Sequence, residues 1–393
     1  MPRVHRLVAG LFLMDAVMNV TVVTSYPLSE PVIKNRLEPL MRSLLDDGYI
    51  VYLVSPKGGV LSEDLARQVK HVGISCPSSI GAGFFMRAIN EARLAIKLFK
   101  VVAKLNSYGI IVTIPSMFLL FLFRGNAGRK VLDVRDLTWE YLSEKNLSSK
   151  VAKRIFRFIA RFKIRKFDVV SATNDTELNY LKRGVGVDSN KLVGLPNGIS
   201  INQYKLLVSQ PLVKKAATRL KVCYVGNVGL AQDLTTLLSV AQIMQGYDFV
   251  IVGEGTDYLR VRGICAEKML SNVLFTGRIP WDRIPEIYAA ADILYAQLLP
   301  EYAGAMPSKI YEYLATGKFL IFGGQGQAAQ TLQSFENNIV IPPGDVDALC
   351  NALKRVAKEG RWRDLSMSNR SRIYQNFIRE KNSVNLVRRL AED

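Results

Sequence analysis

The sequence has few of the residues on which many hydrolases and metal proteins depend. It contains two histidines, His5 and His71, which argues against a histidine-based triad or a site with several histidine ligands. Its four cysteines form no Cys-x-x-Cys pair, so neither a zinc site nor a disulfide framework is indicated. The one Asp-x-Asp, Asp345-Val-Asp347, follows Pro-Pro-Gly and is predicted to cap a helix rather than to bind a metal. We therefore expect no metal and no cofactor, and reduced thiols as in a cytoplasmic protein.

Long hydrophobic runs are also missing. The longest apolar run, residues 110–123, is interrupted by Thr113, Pro115 and Ser116 and is shorter than the ~20 residues that a helical membrane span needs. Residues 1–17 combine a basic start with an apolar stretch and loosely resemble a signal peptide. Because residues 18–24 already have the pattern of a first core strand, we interpret residues 1–17 as an N-terminal extension or a start placed too early.

Acidic residues are in short supply. The chain has 34 Asp and Glu against 52 Lys and Arg, a formal net charge of +18. Such an excess favours anionic partners such as phosphates, anionic lipids or nucleic acid, and the clustering of the cations favours a partner over scattered solvated faces. With 49% hydrophobic and 22% charged residues, the 393-residue chain otherwise has the composition of a packed globular protein of about two domains.

Short apolar, β-branched runs alternate with longer helical stretches, the pattern of parallel sheets covered by helices on both faces. The series occurs twice, which predicts an α/β protein with two Rossmann-like, doubly wound parallel-sheet domains facing a central cleft. Ligands bind beyond the carboxyl ends of such strands, so the loops after the strands are where we expect chemistry. The predicted strands are residues 19–24, 49–54, 110–114, 130–134, 169–172 and 191–195, then 221–225, 247–252, 273–276, 292–295, 318–322 and 338–341.

We place an N-terminal domain at residues 1–205 and a C-terminal domain at residues 206–370. The boundary falls in a stretch, residues 201–220, that has no clear element and carries the basic pair Lys214-Lys215. Residues 371–393 are predicted to form a C-terminal helix that is able to return to the N-terminal domain.

Three glycine-containing loops follow successive strands of the C-terminal domain. The first leads into a predicted helix, whose free N–H groups and partial positive charge suit a diphosphate. Each loop alone is explained equally well as a tight turn, whereas three on one sheet edge favour a binding site. The residues of these loops predicted to bind the ligand are Gly226, Asn227, Gly229, Gly253, Glu254, Gly277 and Arg278.

The stretch 306–318 is the most informative part of the sequence. Pro307 and Ser308 have the pattern of a helix start. Lys309 then lies in the first turn, where the helix dipole disfavours a cation unless an anionic ligand is present. Glu312 lies one turn on, placed to accept hydrogen bonds from ribose hydroxyls. The alternative interpretation is that Lys309 is an ordinary exposed lysine and Glu312 an ordinary solvated glutamate, with no ligand bound.

Four charged side chains lie close together where a strand of the first domain ends: Asp133, Arg135, Asp136 and Glu140. They suit either an internal ion-pair network or the lining of a reaction centre, and the sequence does not separate the two.

Residues 150–168 are predicted to form a basic amphipathic helix, with eight basic residues against the single acid Asp168, so 8 − 1 = +7. An anionic membrane surface would suit this pattern, and so would a helix whose apolar stripe packs on the sheet. Basic residues at helical spacing are Lys150, Arg154, Arg157, Arg161 and Arg165, and the apolar stripe is Val151, Ile155, Phe158, Ile159 and Phe162.

These motifs together resemble glycosyltransferase family 4, a group of retaining enzymes with the GT-B fold, over nearly the whole chain from about Asn19. The segment 132–137 is similar to one found in the subgroup that builds bacterial surface polysaccharides, including amino-sugar transferases. The matching stretches are residues 226–232, 252–255, 275–277, 307–312 with 315–317, 341–345, and the Pro-Asn-Gly at 196–198.

The resemblance implies a nucleotide-sugar donor, a UDP-sugar, and transfer with retention to a lipid-linked or glycan acceptor. It gives catalytic roles to Lys309, Glu312, Asp133, Arg135 and Asp136, and donor-binding roles to Ser308 and the glycine loops. The end of the first strand, Ser25-Tyr26-Pro27, becomes an acceptor loop. It also implies a cytoplasmic enzyme, peripheral at the inner face of the cell membrane.

The chain departs from the family pattern at three places. The family often has two glutamates eight positions apart; Glu312 matches the second, but Gly304 occupies the first. The catalytic-region histidine of the first domain has no counterpart. Asn227 and Gln232 stand where a basic residue is usual.

Two other functions are compatible with the sequence. One is a sugar-nucleotide epimerase of the same fold, which would retain the sugar on the nucleotide. The other is a basic phosphate- or nucleic-acid-binding protein without catalysis, supported by charge alone, since no helix-turn-helix, zinc-finger or RNP-type signature is present. We therefore expect no nucleic-acid partner.

Overall fold

The structure, a computed structural model, describes residues 18–76, 84–114, 116–125, 128–137, 140, 147–211 and 219–392. The predicted extension 1–17 and the pair Lys214-Lys215 lie outside these residues. The chain divides into two compact units: the first ends at Pro196 and also includes Asn382–Asp393, and the second is Asn197–Lys381.

The first unit contains a seven-stranded parallel sheet in the order β3-β2-β1-β4-β5-β6-β7. In its centre, Val22 of β1 lies opposite Leu53 on one side and Ile111 on the other. The strands are β1 (Asn19–Thr24), β2 (Ile50–Pro56), β3 (Lys70–Ile74), β4 (Gly109–Ile114), β5 (Arg129–Val134), β6 (Val169–Ala172) and β7 (Leu192–Gly194). The helices are α1 (Pro31–Asp46), α2 (Glu63–Ala66), α3 (Phe84–Leu105), α4 (Met117–Leu122), α5 (Leu147–Ile164) and α6 (Asp175–Asn179), which continues as a π-helix (Tyr180–Val185).

The second unit contains a six-stranded parallel sheet in the order β10-β9-β8-β11-β12-β13. The strands are β8 (Leu220–Val225), β9 (Tyr247–Val252), β10 (Val273–Gly277), β11 (Ile293–Gln297), β12 (Phe319–Gly323) and β13 (Asn338–Ile341). The helices are α7 (Ile201–Val208), α8 (Thr235–Ile243), α9 (Tyr258–Glu267), α10 (Ile284–Ala290), α11 (Ser308–Thr316), α12 (Gln327–Leu332), α13 (Val346–Glu359), α14 (Met367–Asn376) and α15 (Arg379–Ala391), the last of which continues into the first unit.

Both sheets have the Rossmann strand order, third-second-first-fourth-fifth-sixth, and the first unit adds a seventh strand at the edge. The strand order reverses between β1 and β4 in the first unit and between β8 and β11 in the second. Ligands of such sheets bind outside the carboxyl ends of the strands at this reversal. The predicted pair of Rossmann-like domains is confirmed.

Helices cover both faces of each sheet, so the strands are buried on both sides. All six residues of β4 and all five of β11 are buried. This is why the apolar strand pattern in the sequence is continuous rather than alternating.

The strand predictions agree with the structure except for β3. Its residues are at most half-buried because it is the edge strand, and an edge strand lacks the apolar run that identifies its neighbours. The predicted single C-terminal helix is instead two helices, α14 and α15, separated at Phe377 and Ile378.

The Pro-Asn-Gly stretch lies where the two units meet in the sequence. Ile199 and Ile378 form an isolated parallel bridge, and the Ile199 amide donates to the Phe377 carbonyl at 3.0 Å. A Cβ atom on Gly198 would overlap that carbonyl group. The close approach of the two backbone segments therefore requires glycine at position 198. The segment that approaches, Phe377 and Ile378, is the break between α14 and α15.

Within the described residues, no helix has both the length and the apolar composition needed to cross a bilayer.

Replacing Gly198 with alanine should lower the free energy of unfolding by about 1–3 kcal/mol, because the overlapping atoms are backbone and cannot rotate away. The measurement is the urea unfolding midpoint of the purified chain. The matched control is Gly263→Ala in α9, where an added Cβ meets nothing within 4 Å and should stabilise the helix by roughly 0.5 kcal/mol. An equal effect of both changes would contradict this account of Gly198.

Candidate functional site

The three glycine loops predicted at the carboxyl edge of the second sheet form one hydrogen-bonded layer. The Gly226 amide donates to the Val252 carbonyl at 2.9 Å, and the Gly253 amide donates to the Gly277 carbonyl at 2.8 Å. A Cβ on Gly253 would collide with the Gly226 carbonyl. The glycines therefore allow three consecutive strand ends to pack backbone against backbone.

The first glycine loop is predicted to bind a diphosphate, but the amides of Gly226 and Gly229 already have hydrogen-bond partners in this structure. Gly226 uses its N–H in the sheet, as described above. Gly229 donates to the side-chain Oε1 of Gln232 at 3.2 Å. The loop also does not run directly into a helix: a short 3-10 turn, Leu230–Gln232, comes first, and α8 begins at Thr235.

Lys309 is placed above this layer by the start of α11. As predicted, α11 begins at Ser308 after Pro307, and no side chain caps its first amides. The Lys309 ammonium lies 3.9 Å above the ring centre of Tyr224 and donates to the Tyr224 hydroxyl at 2.6 Å. A Cβ on Gly226 would come within 2.9 Å of Nζ, so only glycine at 226 leaves room for the cation.

Lys309 forms no ion pair with any carboxylate in the described part of the chain. Burial lowers its pKa to about 7, against the opposing effect of the Glu312 carboxylate one turn away. A half-buried cation beside an uncapped helix start, where the dipole is also positive, is electrostatically unfavourable, and a bound anion would relieve it.

Glu312 is held by two aromatic residues that the sequence analysis did not identify. Tyr288 donates its hydroxyl to one carboxylate oxygen at 2.8 Å, and the Trp281 indole N–H donates to the other at 3.3 Å. Burial raises the pKa of Glu312, and these two hydrogen bonds oppose that shift. Each carboxylate oxygen retains a lone pair that can accept a hydrogen bond from a hydroxyl group.

The remaining predicted residues of this edge are exposed. Asn227 is exposed and its amide Nδ2 donates to Gln232 Oε1 at 3.4 Å. Ser308, Glu254 and Arg278 are exposed as well, and Glu254 lies beside Gly277, where an added Cβ would be 3.4 Å from Oε1. These residues lie at the same edge of the sheet but are not part of the hydrogen-bonded layer of glycine loops.

Gln297, at the end of β11, is a further residue that the sequence analysis missed. It is buried, and its Nε2 donates to the carbonyl oxygens of Gln232 at 3.2 Å and Asp233 at 2.9 Å. Its Oε1 accepts from the Gly344 amide at 3.0 Å. It thereby fixes the loops after β8 and β13 to the strand end between them.

In the first unit, the structure corrects the catalytic role predicted for Asp133. The carboxylate is fully buried inside β5 and accepts two hydrogen bonds from Arg36, at 2.6 and 3.2 Å. It also accepts from Ser171 at 2.8 Å and Thr113 at 3.1 Å. With four donors and no access to solvent, Asp133 is part of an internal ion-pair network and is unavailable to a substrate.

The Asp133–Arg36 pair connects helix α1 with several strands of the first sheet. Arg36 belongs to α1 and its Nη1 also donates to the Leu195 carbonyl, after β7, at 2.6 Å. Burial opposes ionisation of Asp133, but the charge and hydrogen bonds of Arg36, with the hydrogen bond of Ser171, hold its pKa below the ordinary value.

The other predicted residues of the first unit lie past the strand ends. Burial raises the pKa of Asp136 and of Tyr26, and the charge of Asp136 raises the pKa of Tyr26 further. The charge of Arg135 opposes both shifts, and burial lowers the pKa of Arg135 itself. The Ser25 hydroxyl is buried with no hydrogen-bond partner in the described residues, and Pro27 is half-buried beside Gly58.

Glu140 is not part of that group. It pairs with Arg157 of α5 and accepts a hydrogen bond from the Tyr180 hydroxyl. It therefore ties the chain after β5 to α5.

The prediction that Asp345 caps a helix is confirmed, since its carboxylate accepts from the Ala348 amide at the start of α13 at 2.8 Å. In the part of the chain that the structure describes, no three His, Cys, Asp or Glu side chains are grouped so as to hold a metal ion.

Comparison with known proteins defines the class to which this architecture belongs. The fold is that of GT-B glycosyltransferases, and residues 219–359 match the family Glycosyl transferases group 1. Among solved structures, sucrose-phosphate synthase from Thermosynechococcus elongatus superimposes with a TM-score of 0.72 at 17% identity, covering 94% of this chain and 98% of that one. Anabaena HepE in complex with UDP and glucose gives a TM-score of 0.67 at 16% identity, covering 96% and 100%.

Two particular relatives are similar in sequence. An uncharacterized glycosyltransferase of Methanocaldococcus jannaschii is 18% identical over 262 residues, which is 64% of this chain and 62% of the relative. The 2-deoxystreptamine glucosyltransferase of Streptomyces kanamyceticus is 25% identical over 138 residues, 34% of this chain and 35% of the relative. The chain thus matches less than two thirds of the length of either protein.

Asp133→Asn should lower the free energy of unfolding by about 3–5 kcal/mol, because it leaves the Arg36 guanidinium buried without a counter-charge. The folded-state pKa of Asp133 lies below the unfolded one, so its contribution is complete above about pH 4 and is lost as the pH falls further. Asp188→Asn, at an exposed carboxylate of the first unit, is the matched control and should change stability by less than about 1 kcal/mol. Chemical unfolding at neutral pH measures both, and equal losses would contradict the assignment.

Proposed function

We propose that this protein is a retaining glycosyltransferase that moves a sugar from a nucleotide diphosphate donor, a UDP-sugar, to a membrane-associated acceptor in cell-surface polysaccharide or glycolipid synthesis. The observation that carries the proposal is the half-buried Lys309, whose ammonium forms no ion pair with a carboxylate of the described residues and lies beside the uncapped start of α11. The match of residues 219–359 to the Glycosyl transferases group 1 family supports it.

The diphosphate is the ligand that fits the Lys309 site best. A lysine with a pKa of about 7 recovers its charge when an anion binds, because the negative charge of the anion stabilises the ammonium. The free amides at the start of α11 and the positive end of its dipole attract the same group. The glycine layer beneath contributes space for the cation, rather than hydrogen bonds from Gly226.

Glu312 would then bind the ribose of the nucleotide. Its carboxylate is anchored by Trp281 and Tyr288 and has acceptor capacity left for two hydroxyl groups. The exposed residues around the site, Glu254 and Arg278, would border the base, where backbone and side chain are both accessible.

In the reaction, the acceptor oxygen forms a bond to the anomeric carbon while the bond from that carbon to the phosphate oxygen breaks. The acceptor proton passes to the departing diphosphate, and attack from the face of the leaving group retains the anomeric configuration. Negative charge increases on the diphosphate as the bond breaks. Lys309 and the first turn of α11 stabilise this charge more strongly in the transition state than in the ground state, which is the origin of their catalytic effect.

The choice of UDP follows from the relatives of this fold. The Anabaena HepE structures hold UDP with glucose, UDP alone and UDP-glucose. We propose a UDP-linked donor for this chain on that basis, with no metal ion required.

The acceptor would bind at the carboxyl edge of the first sheet. Tyr26 follows the end of β1 next to Ser25, whose hydroxyl has no partner in the described residues, and Arg135 and Asp136 follow the end of β5. These groups can form hydrogen bonds with the hydroxyls of a glycan. Lipid-linked acceptors of surface polysaccharides are made at the inner face of the cell membrane, where we therefore place the enzyme.

Lys309→Ala and Glu312→Ala should each lower sugar transfer from a UDP-sugar by about a hundredfold or more, as expected when a charge-stabilising or substrate-positioning group is lost. Lys309→Ala should not lower the unfolding temperature, because the ammonium is partly withdrawn from solvent without an ion-pair partner among the described residues. Glu312→Ala leaves the Trp281 and Tyr288 donors unpaired and should lower the free energy of unfolding by about 1–3 kcal/mol, so its turnover is measured on protein shown to be folded. Turnover is measured as UDP release with a panel of UDP-sugars and a lipid-linked acceptor fraction. The matched control is Lys354→Ala, at an exposed position of α13. Wild-type turnover in both site variants would overturn the assignment.

UDP affinity should depend on pH through Lys309. Below about pH 7 the ammonium is charged and affinity is constant; above it, affinity should fall about tenfold per pH unit until the pKa of the complex is reached. UDP itself keeps a constant charge over this range, since the second phosphate pKa is about 6. Titration calorimetry from about pH 7 to about pH 9 measures the effect.

The arginine variant provides the control for this titration. Lys309→Arg carries a permanent charge, so its UDP affinity, whatever its absolute value, should not change over the same range. A wild-type affinity that is independent of pH, or an unchanged pH dependence in the arginine variant, would show that another group is titrating.

A further inference from the structure

Helix α5 has more apolar surface than its packing uses. Its inner side belongs to the core of the first unit, where Ala160 is 1% exposed and Ile164 is fully buried. A helix on the surface of a sheet needs one apolar face for this purpose. The inner side alone satisfies that need.

A second apolar stripe runs along the outer side of α5. Val151, Ile155, Phe158 and Phe162 recur at helical spacing and are between 50% and 72% exposed. Of the stripe considered in the sequence analysis, only Ile159 is half-buried. The alternative that this stripe packs on the sheet is therefore wrong for those four residues.

Basic residues border the outer stripe. At 100° per residue, four of them form a row along one edge: Lys150, Arg154, Arg161 and Arg165. Among the described residues, Lys150, Arg154 and Arg161 have no carboxylate partner, whereas Arg157 is paired with Glu140. On the other edge, the Lys166 ammonium lies 4.2 Å from the ring centre of Phe162.

The cations near the end of α5 repel one another. Burial lowers the pKa of Lys163, and the charges of Lys166 and Arg124 lower it further. Crowding of like charges is unfavourable in the free protein and is relieved by an extended anionic surface.

We propose that the outer face of α5 docks on an anionic lipid bilayer, with Phe158, Phe162, Ile155 and Val151 inserted among the acyl chains and the basic row on the lipid phosphates. A helix with an apolar face bordered by Lys and Arg lies in the plane of such an interface. This inference concerns the first unit and does not depend on the chemistry proposed for Lys309.

Two other occupants fit the surface less well. A second copy of the chain would bring two unneutralised basic rows together. A nucleic acid would satisfy the cations, but it would leave a stripe of four aliphatic and aromatic side chains without an apolar partner.

The test is sedimentation of the full chain with vesicles of phosphatidylcholine mixed with phosphatidylglycerol, and with vesicles of phosphatidylcholine alone. We expect binding to the mixed vesicles that added salt weakens. Replacing Lys150, Arg154 and Arg161 together with glutamine should weaken it about a hundredfold, since each cation near an anionic surface contributes about fivefold. The double change Phe158→Ser with Phe162→Ser should weaken it at least about tenfold.

The matched control is Leu259→Ser with Met269→Ser in the second unit, two apolar side chains at least as exposed as those of the stripe, at 81% and 87%. This control should bind like the wild type. Equal binding to the two vesicle types, or an equal loss in the control, would overturn the proposal.

A conservative variant tests the same contact without a change that could unfold the protein. Phe158→Trp keeps the apolar bulk, and its fluorescence emission should shift to shorter wavelength when mixed vesicles are added. The chain's own three tryptophans are corrected for with the wild-type protein. No shift on vesicle addition overturns the proposal, as does a shift that appears without vesicles and grows with protein concentration, which would indicate self-association.

Discussion

The position of one ammonium group is the constraint on which the second unit depends. Lys309 is held against the ring and hydroxyl of Tyr224, above a glycine that has no side chain to displace it, at the uncapped start of α11. Each of these features is unfavourable by itself: a cation partly removed from solvent, the positive end of a helix, and a glycine in a strand-end loop. Together they are consistent with a site organised for an anion, and the free energy of binding that anion offsets the unfavourable burial of the cation.

The two units share a strand order but differ in what occupies their carboxyl edges. In the second unit, the edge is a layer of glycine turns fixed by Gln297, and Lys309 beside it forms no ion pair with a carboxylate of the described residues. In the first unit, Asp133 and Arg36 pair with each other in the core and connect α1 to three central strands. The carboxylate that the sequence placed in a reaction centre is therefore part of the core, whereas several cations of α5 face outward.

The sequence predicted the fold well because buried parallel strands produce continuous apolar runs, and it missed β3 because an edge strand does not. It predicted Lys309 and Glu312 because a helix start is a local signal. It did not identify Tyr224, Trp281 or Tyr288, whose contacts with these residues join positions 24 to 85 apart in the chain. Asp133 and the α5 stripe illustrate the same limit: a charged cluster and an amphipathic helix have one pattern whether they face inward or outward, and only tertiary packing decides.

A crystal structure of the chain with UDP tests the central claim most directly. The account predicts that a β-phosphate oxygen replaces the Tyr224 hydroxyl as the partner of Lys309 Nζ, at a hydrogen-bond distance of about 2.8 Å, with a ribose hydroxyl on Glu312. A diphosphate bound elsewhere, with Lys309 still on Tyr224, would contradict it.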